Sequence, residues 1–349
     1  MNRSRSDHQP SRNHAPSRRQ FMQTSAGLLA AGATLPTVPG LMTMTRGATA
    51  VAAQALPTGV TGESLAAQLF HSLSAPQRKV VWRPYDDPLR QRVEANWRIT
   101  KPMSEVLSAD QRDLVRQVFK SLHSEEYALT VLKQVEHDNH SNGGFSGCSV
   151  ALFGEPGGDQ PFEFVFTGRH VTRRCDGRFD DGVGFGGPIF YGHAAESFHE
   201  KPNHPGNIYW YQALRANELY KMLDGRQRRA ALRDDPPAER GRKTVALRNT
   251  GGDIRGLPLT ELSADQKTHA GLVLKDLLAP FRPADVAETL RLIEAGGGLD
   301  ALRLSYFKNR DLGDDGVWDV WELEGPHLVW FFRGAPHVHT WVHIRGEKA

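Results

Sequence analysis

Leu107-Ser108-Ala109-Asp110-Gln111 recurs unchanged as Leu262-Ser263-Ala264-Asp265-Gln266. Both copies read as helix starts. The serine hydroxyl can accept from a free backbone N–H, the glutamine three residues on can reach back, and the preceding leucine can act as the outer half of a hydrophobic staple. Leu73-Ser74-Ala75-Pro76-Gln77 has the same form. The two identical copies share their surroundings as well. Pro102-Met103-Ser104-Glu105 precedes one and Pro258-Leu259-Thr260-Glu261 the other. Gly168-Arg169-His170 follows Leu107 by 61 residues, and Gly325-Pro326-His327 follows Leu262 by 63.

Between these landmarks lie matching strand pairs. CSVALFG and FEFVFTGRHV in the first half answer to LRLSYFK and VWDVWELEGPHLVWFF in the second. Each half closes on a further strand, Pro188–His193 and His337–Ile344. The expectation is an α+β fold of two fused half-units related by an internal duplication, each a capped helix followed by antiparallel strands, with a shared core. The first half-unit runs over 56–233 with connecting helices, the second over 234–349, and the two are expected to form one integrated domain.

Helices are expected over Asn207–Leu223, stopped by Asp224-Gly225, and over Arg226–Leu232. The third capped helix should reach Leu278, ending before Pro280, and another should span Ala284–Glu294. Asp234–Glu239, polar and proline-bearing, reads as the best internal linker.

Residues 1–55 stand apart. Ser17-Arg18-Arg19-Gln20-Phe21-Met22-Gln23 has the form of a twin-arginine signal, and an Ala/Leu/Gly-rich segment and candidate cleavage sites near Ala50–Ala55 follow it. The expectation is export to the periplasm or beyond, with the twin-arginine machinery as partner. Six of the 43 basic and one of the 40 acidic residues belong to this leader, leaving 37 against 39. A near-neutral mature chain argues against a nucleic-acid partner. No stretch approaches the roughly 20 apolar residues of a membrane span. The two cysteines, Cys148 and Cys175, lie in flanks that read as neighbouring strands and could pair in an oxidising compartment.

The chemistry-bearing residues gather in Gly168–His193 and Pro336–Ile344. Strict alternation puts His337, His339, Trp341 and His343 on one face of a strand and Val338, Thr340, Val342 and Ile344 on the other. Imidazoles at i and i+2 can lean toward one ion, and neutral imidazole favours Zn, Cu or Fe. His170 and His193, both at strand ends, are the expected further ligands. Glu196, three residues past His193, could orient an imidazole or take a proton. Arg174 shares a strand face with His170 and could hold an anion. Asp180-Asp181 reads as a surface loop, as does Glu136–His140, although the latter could supply another ligand. No GxxxxGK[ST], HExxH or GxSxG motif occurs.

GFSGCSVALFGEPG, GRHVTRRCDG, GFGGPIFYGHA, HPGNIYWYQALRANELYKMLDGRQ and the closing His-x-His strand together resemble the domain-of-unknown-function family 3500, from about Leu65 to Ile344. The resemblance implies export and the Gly-x-His strand arrangement, and it carries over no reaction and no catalytic residue. Three functions fit the residues. One is a histidine-ligated metal-dependent enzyme, hydrolase or oxidoreductase, on a small anionic substrate. The others are a metal-free small-ligand-binding or accessory protein, and a structural envelope protein.

Overall fold

Strand residues in this chain are buried on both sides of the sheet, and that follows from what covers it. The computed structural model describes residues 60–177, 182–193, 204, 206–248, 254–310 and 317–346. The expected leader, Asp180-Asp181 and Glu196 lie outside them.

The first run comprises α1 (Gly62–Ser72), α2 (Ala75–Val81), β1 (Trp82–Arg83), α3 (Met103–Val106), α4 (Ala109–Ser121), α5 (Glu125–Asp138), β2 (Ser149–Phe153), β3 (Glu163–Gly168), β4 (Val171–Asp176) and β5 (Ile189–Gly192). The second comprises α6 (Trp210–Met222), α7 (Gly225–Ala231), β6 (Leu232–Arg233), β7 (Leu257–Pro258), α8 (Ala264–Leu278), α9 (Pro283–Ala295), β8 (Arg303–Phe307), β9 (Val320–Gly325), β10 (Leu328–Arg333) and β11 (His339–Ile344).

One sheet takes in both runs, in the order β1-β2-β3-β4-β5-β11-β10-β9-β8-β6, with β7 on β8. The long strands pair antiparallel, and the two-residue strands β1 and β6 add parallel to β2 and β8, so the sheet is mixed. The two runs meet at β5 and β11, where Tyr191 faces Thr340 and Phe190 faces Trp341. The order read outward from this join is the same on both sides. The tight turn Gly168–Val171 of one hairpin also matches Gly325–Leu328 of the other.

The capping phrases act as expected and do a second job. Gln111 and Gln266 return their side-chain oxygens to the N–H of Ser108 and Ser263, both at 2.9 Å. Gln77 and Gln111 also bond to each other and to the carbonyls of Val106 and Ser72, at 2.8–3.0 Å. Gln227 and Gln266 repeat the arrangement on the carbonyls of Glu261 and Met222, at 2.8–2.9 Å. Each pair satisfies two helix-end carbonyls that would otherwise be orphaned beneath the surface.

Asp224 caps α7 by accepting from Arg226 N and Gln227 N at 2.8 Å, so Gly225 opens that helix. α6 ends at Met222 on an extended Leu223, at the expected place but without a left-handed glycine. Among the described residues, no helix is long and apolar enough to cross a membrane.

All the helices that bury a large apolar stripe lie on one face. Val150, Phe164 and Phe166 pack with α1 and α4, and Tyr191, Trp330 and Val342 with α6 and α8. The opposite face is covered by two straps of irregular chain. Val93, Trp97 and Ile99 in one, and Val245 in the other, cover Ala151, Phe153, Phe190, Phe331 and Trp341. Strands buried on both faces read as continuous apolar runs, as CSVALFG and LVWFF do. The first strap has only the isolated bridge Asn96–Arg169 as a ladder contact among the described residues, so side chains supply further partners: Ile99 N donates to Ser149 Oγ at 3.0 Å, and Trp97 Nε1 to Thr172 Oγ1 at 3.0 Å.

Cys148 and Cys175 are free and buried. Their flanking strands, expected side by side, are separated by β3, which pairs with both β2 and β4. The possible disulfide is therefore corrected to two enclosed thiols.

Candidate metal centre

His170 occupies the turn between β3 and β4 with φ 58°, a left-handed conformation that a β-carbon disfavours. Three neighbours hold it there. Its N–H donates to Ala95 O at 2.8 Å. Asn139 accepts from Arg169 N at 2.9 Å and donates to Arg169 O at 3.2 Å. Asp138 Oδ2 lies 3.1 Å from His170 Nδ1. The matching turn residue, His327, instead bonds Arg345 O through Nδ1 at 3.0 Å and is not among the residues of positive φ.

His339 opens β11, on the strap-covered face. Its Nδ1 lies 2.6 Å from Glu239 Oε2, which also accepts from Trp341 Nε1 at 3.0 Å. Arg333 forms an ion pair with the other oxygen at 3.0 Å. Burial works to raise the Glu239 pKa, but His339, Arg333 and Trp341 outweigh it and hold the carboxyl below its ordinary value. His337 precedes the strand and brings Nε2 to within 3.0 Å of His339 Nε2.

The ligand atoms of His170, His337 and His339 lie within 4.8 Å of one another. With Nδ1 of His170 and of His339 facing carboxylates, the Nε2 atoms are the ones left for an ion. Burial, followed by the neighbouring imidazoles and Arg333, pushes His337 down to about 3. Burial likewise pushes His339 down to about 4, against the pull of Glu239. Both rings are neutral at neutral pH, as a metal ligand must be. Nitrogen atoms on one zinc ion with bonds of about 2.0–2.1 Å sit roughly 3.3 Å apart. The cluster needs only small side-chain movements to reach that.

Three of the four expected ligands therefore come together. His193 follows β5 and stays in the same network one step out. Its Nδ1 is 3.0 Å from Gln134 Nε2, which donates to Asp138 Oδ1 at 2.5 Å. Its backbone N–H is tied to Val338 O at 3.0 Å.

Arg174 is not brought to the histidines as a clamp. Its guanidinium is buried against Glu163, with Pro188 O at 2.6 Å and Arg92 O at 2.7 Å as further partners. Arg173 points to the helical face, where it donates to Phe190 O at 2.8 Å and lies over the rings of Tyr191 and Phe281. His343 shares the strand face as expected and is held by Val245 O at 3.0 Å.

The carboxylates that orient the cluster were hidden in segments that read as bland. Asp138 belongs to α5, which runs through the stretch expected to be a surface loop, and Asp138 is 3% exposed. Glu239 ends the expected linker, which in fact lies against the sheet. A carboxylate within a proline-bearing segment gives no periodic signal; only its distance from His339 in space marks it.

The fold and site define an α+β protein built on one mixed sheet, with a three-histidine cluster at the join of its two runs. Residues 61–343 match the family DUF3500, described as a protein of unknown function, and the chain belongs to that family. No curated protein and no solved structure matches the chain.

Proposed function

We propose that this chain is a metal-dependent enzyme, with His170, His337 and His339 as ligands of one ion and a small-molecule substrate at its open side. The observation that carries the reading is the paired anchoring of His170 by Asp138 and of His339 by Glu239. Such carboxylate–imidazole pairs fix the tautomer and aim the other nitrogen, and that is what metal sites require of their surroundings. Zinc fits the donor set best. Three neutral imidazoles leave the ion its full charge, and an ion so held activates water or polarises a carbonyl at neutral pH. Hydrolysis is the reaction this favours; copper and iron are the other ions that imidazole suits.

X-ray absorption at the zinc edge of the reconstituted protein tests it. Three imidazole nitrogens at about 2.0 Å plus a light-atom ligand is the expected shell. A shell with fewer than two imidazoles overturns the assignment.

We infer export through the twin-arginine route from Ser17–Gln23. Replacing Arg18 and Arg19 by Lys should retain the precursor in the cytoplasm. Unchanged export of that variant would remove the inference.

A further inference from the structure

On the same face of the sheet, two strands away from His339, a cavity of about 400 Å³ opens between the second strap and β8–β9. It is of the size that small-molecule sites have. Arg233, Arg248 and Arg255 reach it from three separate parts of the chain, Phe307 and Glu322 line it from the sheet, and Asp235 comes from the strap. Pro236 and Pro237 stiffen that strap and complete the wall.

Two features mark this as a built site. The first is the charge of the guanidinium groups. Arg248 is paired with Glu324 at 3.0 Å, while Arg233, which lies over the Phe307 ring, and Arg255 make no ion pair among the described residues. Arg255 and Arg248 repel Arg233, Glu322 and Glu324 offset this only in part, and an anion that enters between Arg233 and Arg255 adds charge-assisted hydrogen bonds.

The second feature is Glu322, 3% exposed, which faces the cavity and makes no hydrogen bond among the described residues. Glu324 beside it also keeps one buried carboxylate oxygen without a partner among the described residues. A buried acceptor left open in a cavity wall costs stability unless a ligand donor meets it. Arginines, an open carboxyl and an aromatic ring in one cavity wall ask for a ligand that is acidic at one end and rich in hydroxyl groups along its body.

We propose that this cavity binds a small polyhydroxylated carboxylate of the sugar-acid class, its carboxylate between Arg233 and Arg255 and a hydroxyl donating to Glu322. The site is distinct from the histidine cluster and does not rest on the metal reading.

Isothermal titration of the purified chain with D-glucuronate, D-glucose and inorganic phosphate tests it. Glucuronate should bind saturably with Kd below about 1 mM, while glucose should show no heat of binding. Arg255→Gln, a change at an exposed position that should leave the fold intact, should weaken glucuronate at least about tenfold. Glu322→Gln should weaken it several-fold. His337→Ala/His339→Ala should bind glucuronate like the parent chain, and this separates the two sites. No saturable glucuronate binding at 10 mM (roughly 3 kcal/mol of affinity) would overturn the proposal. Equal binding of glucose or of phosphate alone would overturn it too, as would an Arg255→Gln variant of unchanged affinity.

Discussion

Glu239 and His339 stand 100 residues apart in the chain and 2.6 Å apart in the fold, carboxylate oxygen to Nδ1. The contact fixes which imidazole nitrogen faces the cluster, and it draws the second strap onto the sheet. Replacing Glu239 by Gln keeps an oxygen for the imidazole and removes the charge. The expected outcome is a folded protein whose zinc affinity is about 10–100-fold weaker, measured by competition with a chromophoric chelator. Affinity equal to the parent's would mean that Glu239 does not tune the cluster.

Glu322 gives a pH signature of opposite sense to ordinary acid unfolding. Burial first, then Glu324, pushes its carboxyl up to about 7, against Arg248 and Arg233. The unfolded chain binds this proton near pH 4.5 and the folded chain near 7. The folded state is therefore favoured at low pH, loses stability as pH rises through that interval, and carries the full cost above it. Glu322→Gln should raise unfolding stability by up to about 3 kcal/mol at pH 8 and by almost nothing at pH 4.5. Denaturant titrations at the two pH values decide this, and an equal gain at both would contradict it.

The glutamine pairs predict matched losses. Gln111→Ala frees the carbonyl of Ser72, and Gln266→Ala frees that of Met222. Each change also removes a capping box. Each should cost about 1–3 kcal/mol, because the abandoned groups are partly buried. A loss at one position and none at the other, by urea denaturation, would show that the two pairs are not energetically equivalent.

Burial raises the thiol of Cys148 to about 12 and that of Cys175 well above its ordinary value. Neither should react with a thiol reagent in the native state near pH 8, and both should react after guanidinium unfolding. A single disulfide in purified native protein would contradict the strand order, because β3 lies between their strands.

Much of the architecture was legible because it rests on local signals. Ser108…Gln111 and Ser263…Gln266 announce their helices, and the Gly168 and Gly325 turns announce their hairpins. His337 and His339 were legible from alternation, and His170 from its turn. The structural fate of the arginines was not. Arg174 and Arg173 point to opposite faces of β4, as alternation requires, but only the packed structure shows that both faces are covered. The second strap hid Glu239 for the same reason, since irregular chain pressed on a sheet has no period to read, and Asp138 was hidden because the last turn of α5 is polar and reads as loop. Asp224-Gly225 marked the helix end correctly but for another reason, since the dipeptide acts as the start of the next helix and not as a left-handed glycine cap.

Metal content of the natively expressed chain, measured by mass spectrometry beside a His337→Ala/His339→Ala variant that retains the parent's circular dichroism, tests the central claim most directly. The account predicts about one transition-metal ion per parent chain and almost none in the variant, since two of three ligands are gone. Parent and variant carrying the same amount, or a parent chain that neither contains nor takes up zinc, copper or iron, would contradict it.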